Sequence, residues 1–132
     1  MKNGNFLTQA YTIAGTLEFM APEQAVDTKT ADHRADIYSL GCTLWYLLTG
    51  KNVYAAKTQM QKIMAHQKEP IPSLTQARGD APPALDAIFR KMVEKDVSKR
   101  YQSMQEVADD LSKLNLAPAP DTVSGEEAGA TM

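Results

Sequence analysis

The sequence contains a single cysteine, Cys42, among its 132 residues, which excludes an internal disulfide framework and a cysteine-rich metal site. Its apolar runs extend over only a few residues, too short for a helix that spans a membrane. Lysine and arginine number 14 against 16 acidic residues, so the basic field of a nucleic-acid-binding protein is missing. The first ten residues lack the charged-then-apolar pattern of a secretory signal. These absences predict one folded, cytoplasmic domain.

Glycine-rich phosphate loops are also absent. No two of the seven glycines are two residues apart, so neither a G-x-G-x-x-G motif nor a Walker loop is present. The two histidines, His33 and His66, have no cysteine or carboxylate partners at metal-ligand spacing. Ser39 and Ser98 lack the small-residue elbow that exposes a nucleophilic serine. Taken alone, the sequence displays no complete active site, and we expect no catalytic, cofactor-binding or metal-binding residue in it.

Composition divides the chain into a body and a tail. Residues 116–132 consist mainly of small residues with two prolines, three acids and no base. Such a segment cannot bury enough apolar surface to offset the entropy lost on ordering, so a disordered acidic tail is predicted. The remaining residues, 1–115, carry 14 basic and 13 acidic groups and are predicted to form the folded domain.

Four helical patterns and almost no strand signal lie in this body. They cover about Ala35–Gly50, Thr58–Lys68, Pro82–Lys95 and a segment that begins at Ser103. The first pattern is apolar on all sides, which is typical of a buried helix, whereas the other three are amphipathic. The predicted fold class is therefore mainly α, with a buried central helix and amphipathic helices around it.

The spacing of apolar residues predicts which helix faces are buried. These faces comprise Met60, Ile63 and Met64 on the second helix, Leu85, Ile88, Phe89, Met92 and Val93 on the third, and Met104, Val107, Ala108, Leu111 and Leu114 on the fourth. A partner-binding face near the second helix is the alternative interpretation of its methionines. Ser103 and Glu106 have the spacing of a capping box. Cys42 is expected to be a small buried side chain, and His66 is expected to face solvent.

One string has a more specific pattern. Residues 15–24 read GTLEFMAPEQ and contain the A-P-E tripeptide that closes the activation segment of protein kinases. DIYSLG follows at residues 36–41, and Arg100 stands just before the last predicted helix. The three blocks occur in the family's order and at plausible spacing. From about Leu7 to Leu114, the chain therefore resembles the second half of the C-terminal lobe of a bacterial Ser/Thr protein kinase, whose F, G, H and I helices would be the four predicted here.

The resemblance implies roles for individual residues near the N-terminus. Thr8 and Thr12 would lie at the end of the activation loop as candidate phosphorylation sites, because a phosphate there can order a loop against basic side chains. Ordinary loop threonines are the alternative for both. Thr16 would lie in the loop that receives the substrate residue after the phospho-acceptor.

Three further residues would have structural roles. Glu23 would pair with Arg100 and so tie the activation segment to the helical subdomain, the alternative being two separate surface charges. Asp36 would begin the central helix and hold the catalytic loop through hydrogen bonds to its backbone. From this chain alone, a simple N-cap is the better interpretation of Asp36.

The elements that bind ATP and Mg²⁺ in the family do not occur in this sequence. The missing parts are the glycine-rich loop, the strand lysine, the H-R-D loop and the D-F-G motif, all of which precede the activation segment in which this sequence begins. The string His33–Asp36 reads HRAD, but it follows the A-P-E motif and has no asparagine at the required offset. The resemblance thus implies ATP and Mg²⁺ as cofactors of the intact family, held by no residue of this chain, and inactivity of the chain by itself.

Two function hypotheses follow. In the first, the chain is the C-terminal part of a Ser/Thr protein kinase, which contributes substrate-side and scaffold elements; its partners are a protein substrate and the missing kinase half. In the second, it is a non-catalytic helical interaction module that docks on a kinase or its substrates. In the family, parts absent from this sequence cover one side of the central helix. We therefore expect an exposed apolar patch and a chain that is loosely packed, self-associates or depends on a partner.

Overall fold

The computed structural model describes residues 16–27 and 29–114. In chain order, its elements are a 3-10 helix (Thr16–Phe19), α1 (Pro22–Val26), α2 (His33–Thr49), α3 (Gln59–Lys68), α4 (Leu74–Ala77), α5 (Pro83–Met92), a second 3-10 helix (Val97–Lys99) and α6 (Met104–Ser112). No strand occurs within these ranges, and the prediction of a mainly α fold is confirmed. Thr8, Thr12 and the tail predicted at residues 116–132 lie outside the described residues.

α2 is the longest helix and lies at the centre. Its N-cap is Asp32, whose side chain accepts a hydrogen bond from the Arg34 N–H at 2.9 Å. Its C-cap is Gly50, with a φ of 74°, a left-handed conformation in which glycine avoids a clash with Cβ. The interpretation of Asp36 as the N-cap is wrong, because the helix begins at His33 and Asp36 already lies in its first turn.

The core forms where α2 packs against α5. A Cβ added at Gly41 would lie 2.6 Å from Val93 Cγ1 and 2.9 Å from Met92 Cβ, so only glycine allows this close approach. The side chains that are at most 2% exposed around this contact include Ile37, Tyr38, Cys42, Leu74, Phe89, Met92, Val93, Tyr101 and Val107. Burial raises the pKa of the Cys42 thiol to about 12, which agrees with its expected role as a small core side chain.

α2 is buried along one side only. Leu40, Tyr46 and Leu47 are 41%, 46% and 73% exposed, whereas Ile37, Tyr38, Cys42 and Trp45 are buried. A helix that is apolar all round is expected to be covered on every side. In α2, no described element covers the side that carries Leu40 and Leu47.

The buried face of α3 differs from the predicted one. Met60 is 66% and Met64 37% exposed, so their assignment to the core is wrong. His66, expected to face solvent, is only 3% exposed. The reason is the rotation of α3 about its axis: Ala65 and His66 face the interior, and α3 packs against α1 and the first 3-10 helix.

The predicted pattern holds on α5, except that Leu85 is only half-buried, and it holds only in part on α6. Ile88, Phe89 and Met92 of α5 are buried, and Val93 follows as its buried C-cap. On α6, the only buried residue is Val107, while Met104, Ala108 and Leu111 are exposed. α6 packs mainly against α5, which covers only a narrow stripe of its surface.

The predicted capping box of α6 forms with a shifted partner. The Ser103 hydroxyl accepts a hydrogen bond from the Glu106 N–H at 3.2 Å, as the spacing indicates. The Glu106 carboxylate accepts from the Gln102 N–H at 2.9 Å, one residue before the cap.

Candidate functional site

The segment of residues 16–26 is the candidate site. Pro22 occupies the first turn of α1, where its missing N–H costs no hydrogen bond. The Gln24 side chain accepts a hydrogen bond from the Ala21 N–H at 2.9 Å. Met20, Ala21, Pro22 and Gln24 are all buried. The A-P-E motif is therefore part of the packed body of the protein.

Glu23 and Arg100 form an ion pair in the interior. Arg100 Nη1 and Nη2 donate to the two Glu23 carboxylate oxygens at 2.7 and 2.9 Å, which is bidentate geometry. Arg100 Nε donates to the Glu94 carbonyl at 2.8 Å and Nη1 donates to the Arg34 carbonyl at 2.9 Å. The Arg100 side chain is 0% exposed and that of Glu23 is 14% exposed. The pair thus joins α1, the start of α2 and the loop before α6.

Two further contacts hold the first 3-10 helix. Lys62 of α3 forms an ion pair with Glu18 at 2.5 Å, and the Ser39 hydroxyl of α2 donates to the Phe19 carbonyl at 2.6 Å. Burial acts to raise the pKa of Glu18, but the hydrogen bond and the charge of Lys62 outweigh it and lower the pKa overall. Glu18 is therefore an ionised carboxylate whose negative charge is balanced by the positive charge of Lys62.

The first 3-10 helix begins at Thr16, and an open cavity of about 340 Å³ lies between Leu17 of this helix and α3. The cavity is lined by Leu17, Met20, Gln24, Ala25, Gln59, Lys62 and Ile63. Its wall is mixed: Gln24, Gln59 and Lys62 contribute polar groups beside four apolar side chains.

His66 lies beneath the same segment. Its Nδ1 is 2.6 Å from the Tyr38 hydroxyl, and it shares a small void with Leu17 and Met20. Burial, together with the nearby charge of Lys95, lowers the pKa of His66 to about 4. The sequence analysis placed His66 in solvent, although its position three residues after Ile63 places both on one helix face.

Lys95 connects this region to the loop after α5, and it too was missed. Its Nζ donates to the His66 carbonyl at 2.7 Å and to the Tyr54 hydroxyl at 3.0 Å. It therefore satisfies a carbonyl in the last turn of α3, a favourable place for a cation. Burial lowers the pKa of Lys95 to about 8.

The exposed side of α2 forms a second feature, which we call the outer face: Asp36, Leu40 and Leu47 on one side of the helix, with Tyr46 beside them. Asp36 is exposed, and its carboxylate meets no hydrogen-bond donor among the described residues. Partial burial against the helix raises the pKa of Asp36, opposed by the charge of His33. The Phe19 ring packs edge-on against Tyr46 at 6.4 Å, which places residues 16–26 next to the outer face.

Across 16–27 and 29–114, no three His, Cys, Asp or Glu side chains are grouped so as to hold a metal ion. In the same ranges, none of the helices combines the length and apolar character needed to cross a membrane.

Comparison with known proteins assigns the family. The family model described as Protein kinase domain matches residues 2–111. Serine/threonine-protein kinase PknB of Mycolicibacterium smegmatis is 36% identical over 119 residues, which cover 89% of this chain and 19% of that protein. PknB of Mycobacterium tuberculosis H37Rv is 33% identical over 120 residues (90% and 19%). Serine/threonine-protein kinase PknD of the same strain is 40% identical over 103 residues (77% and 15%).

The chain spans only 15–19% of the length of these curated relatives. The matched region includes the A-P-E segment, the outer face and Arg100, which together form the site described above. The mainly helical fold and the buried pair that anchors the A-P-E segment agree with this similarity, which covers most of the sequence. This chain therefore belongs to the protein kinase family, in its bacterial Ser/Thr branch.

Proposed function

We propose that this chain forms the substrate-side part of a Ser/Thr protein kinase domain and is inactive by itself. The observation that carries the proposal is the buried Glu23–Arg100 pair, which fixes the A-P-E segment to the helical body beside the uncovered outer face. A segment held in this way has a defined shape that a protein substrate can recognise. Catalysis of phosphoryl transfer depends mainly on positioning and electrostatic stabilisation, so such a scaffold is a necessary half of the machinery.

Protein kinases use ATP and Mg²⁺ and act on protein substrates. The residues of this chain do not fit those two ligands. The described residues provide no group of acids that would hold Mg²⁺, and the sequence has no glycine-rich loop for phosphates. ATP and Mg²⁺ would therefore be held by a partner half.

The roles of the remaining residues belong to the same proposal. Thr16 would contact the substrate beside the reacting hydroxyl, since it begins the anchored 3-10 helix next to an open cavity. Asp36 would accept hydrogen bonds from backbone N–H groups of the partner half, because its exposed carboxylate stands at one end of the apolar outer face. Thr8 and Thr12 would be phosphorylated in the assembled enzyme. A cytoplasmic location is also proposed, and cell fractionation would test it.

A split-kinase experiment tests this function. The chain is mixed with the N-terminal part of the M. smegmatis PknB kinase domain, taken through its D-F-G motif, and phosphorylation of a Ser/Thr peptide is measured with ATP and Mg²⁺. We expect phosphorylation by the mixture and none by either part alone. The variant Leu47→Asp places a charge on the outer face and should abolish it, whereas Leu111→Asp on α6 is the matched control and should not. A complex that forms but transfers no phosphate would contradict the proposal and favour a non-catalytic interaction module.

The DNA upstream of the Met1 codon provides an independent test. An in-frame sequence that encodes H-R-D and D-F-G would place both halves in one polypeptide. A stop codon or an unrelated sequence there would mean that a partner half has to come from another chain.

A further inference from the structure

We propose that Lys62 of α3 determines the charge selectivity of the substrate side: its ion pair with Glu18 leaves the wall of the cavity between Leu17 and α3 without net charge, so that this cavity receives an uncharged side chain of a protein substrate. That a protein substrate enters this cavity rests on the proposed function. The balance of charge in the wall follows from contacts within this chain alone.

The cavity wall contains one charged side chain among the residues that the structure describes, and it is Lys62. The other lining residues have either apolar or amide side chains: Leu17, Met20, Ala25, Ile63, Gln24 and Gln59. Gln24 is 4% exposed, and its side-chain oxygen already accepts the hydrogen bond of the Ala21 N–H. A lysine without a partner in such a wall would attract a carboxylate.

Glu18 balances the charge of this lysine. Its Oε2 lies 2.5 Å from Lys62 Nζ, and the side chains of Glu18 and Lys62 are only 17% and 25% exposed. Water screens a pair in this position less than it screens a pair on the open surface. The two residues come from the first 3-10 helix and from α3, which pack against each other, so the fold itself brings the charges together.

The pair disfavours charged side chains of either sign. A substrate carboxylate would compete with Glu18 for the Lys62 ammonium, and a substrate ammonium would compete with Lys62 for the Glu18 carboxylate. Either group would lose hydration on entry without gaining a partner of its own. An uncharged side chain loses little hydration and gains contact with the apolar part of the wall. The open volume of about 340 Å³ leaves room for it.

Peptide binding to the full 132-residue chain, measured by fluorescence anisotropy, tests this selectivity. Three labelled Ser/Thr peptides differ only in the residue after the phospho-acceptor, which is leucine, glutamate or lysine. This is the position that the loop of Thr16 is expected to receive. We expect the wild-type chain to bind the leucine peptide on the order of tenfold more tightly than either charged peptide.

Two variants should shift this preference in opposite directions. Lys62→Met leaves the Glu18 carboxylate unpaired and should strengthen binding of the lysine peptide, relative to the leucine peptide, on the order of tenfold. Glu18→Gln leaves the Lys62 ammonium unpaired and should do the same for the glutamate peptide. Glu18→Lys/Lys62→Glu exchanges the charges and should restore the wild-type preference.

Lys113→Met is the matched control. It removes a lysine whose ion pair with Asp110 lies on the exposed surface of α6, at 3.7 Å and with 77% of the lysine side chain exposed. The relative affinities for the three peptides should be the same in this variant as in the wild-type chain.

Contrary results are well defined. Equal weakening of all three peptides by Lys62→Met and by Glu18→Gln would show that the pair only supports the fold, and this overturns the proposal. A wild-type chain that binds a charged peptide as tightly as the leucine peptide, or that binds none of the three, also overturns it. This wild-type comparison decides the matter even if neither single variant folds.

The split-kinase assay separates this inference from the proposed function. With Lys62→Met, we expect the KM for the lysine peptide to fall on the order of tenfold relative to the leucine peptide, while kcat changes little. Absence of all phosphorylation, together with the expected shifts in binding, would refute the proposed function and leave the charge selectivity intact. Phosphorylation of all three peptides with equal KM would refute the selectivity and leave the proposed function intact.

Discussion

At the residue scale, Arg100 is a buried charge whose surroundings offset the cost of removing it from water. It makes four hydrogen bonds, two of them to the Glu23 carboxylate and two to the carbonyls of Arg34 and Glu94. Such a pair adds little net stability compared with an apolar substitute, but removal of one partner leaves an uncompensated buried charge. Arg100 therefore matters most for the position of α1.

Loss of the Arg100 guanidinium in the variant Arg100→Met is therefore expected to destabilise the fold. The variant leaves the largely buried Glu23 carboxylate unpaired and should lower the free energy of unfolding by about 3–5 kcal/mol. Urea unfolding followed by the fluorescence of Trp45, at a concentration where the chain is monomeric, measures the change. Glu23→Gln combined with Arg100→Met should cost less than the sum of the two single changes. Additive effects would show that the two residues do not interact energetically.

At the scale of elements, the contact between α2 and α5 depends on one glycine. Gly41 lies in the interior of α2, where helix propensity alone would favour alanine by about 1 kcal/mol. Packing opposes that preference, because a Cβ would lie 2.6 Å from Val93 Cγ1. An additional carbon atom in a well-packed core typically lowers the free energy of unfolding by about 1–3 kcal/mol.

We therefore expect Gly41→Ala to lower the melting temperature in spite of its better helix propensity. Val93→Ala in the same chain removes the opposing Cγ1 and should recover part of the loss. Gly79→Ala is the matched control, because its Cβ would meet no atom within 4 Å. An increase in melting temperature with Gly41→Ala would show that α2 and α5 separate at little cost.

At the scale of the whole molecule, the outer face decides how the chain behaves in solution. Leu40, Tyr46 and Leu47 expose apolar side chains next to one another on α2, the central helix. Soluble monomers seldom leave a contiguous apolar patch uncovered unless it serves as an interaction site. The same face is available to a partner half or to a second copy of the chain.

Self-association of the isolated chain is the expected outcome. The double variant Leu40→Gln/Leu47→Gln should shift the chain toward monomer in sedimentation velocity. Met104→Gln/Leu111→Gln changes two exposed apolar residues of α6 and should leave the association unchanged. A wild-type chain that is monomeric throughout the accessible concentration range would contradict this expectation.

Much of the fold could be predicted from local pattern. The apolar spacing of α5 predicts its buried side chains, Ser103 and Gly50 mark helix ends as their chemistry indicates, and the order of motifs identifies the family. Each of these signals depends on residues close together in sequence, where backbone geometry and capping preference suffice.

The sequence by itself determined the four longer helices, the A-P-E segment and the family of this protein, because these follow from short-range spacing. Only the tertiary structure decided which face of α3 is buried, that Lys62 neutralises Glu18 and that His66 meets Tyr38. A period of 3.6 residues orders side chains around one helix but does not say how that helix is rotated against its neighbours. That rotation depends on the packing of all elements together, and it exposes Met60 while it buries His66.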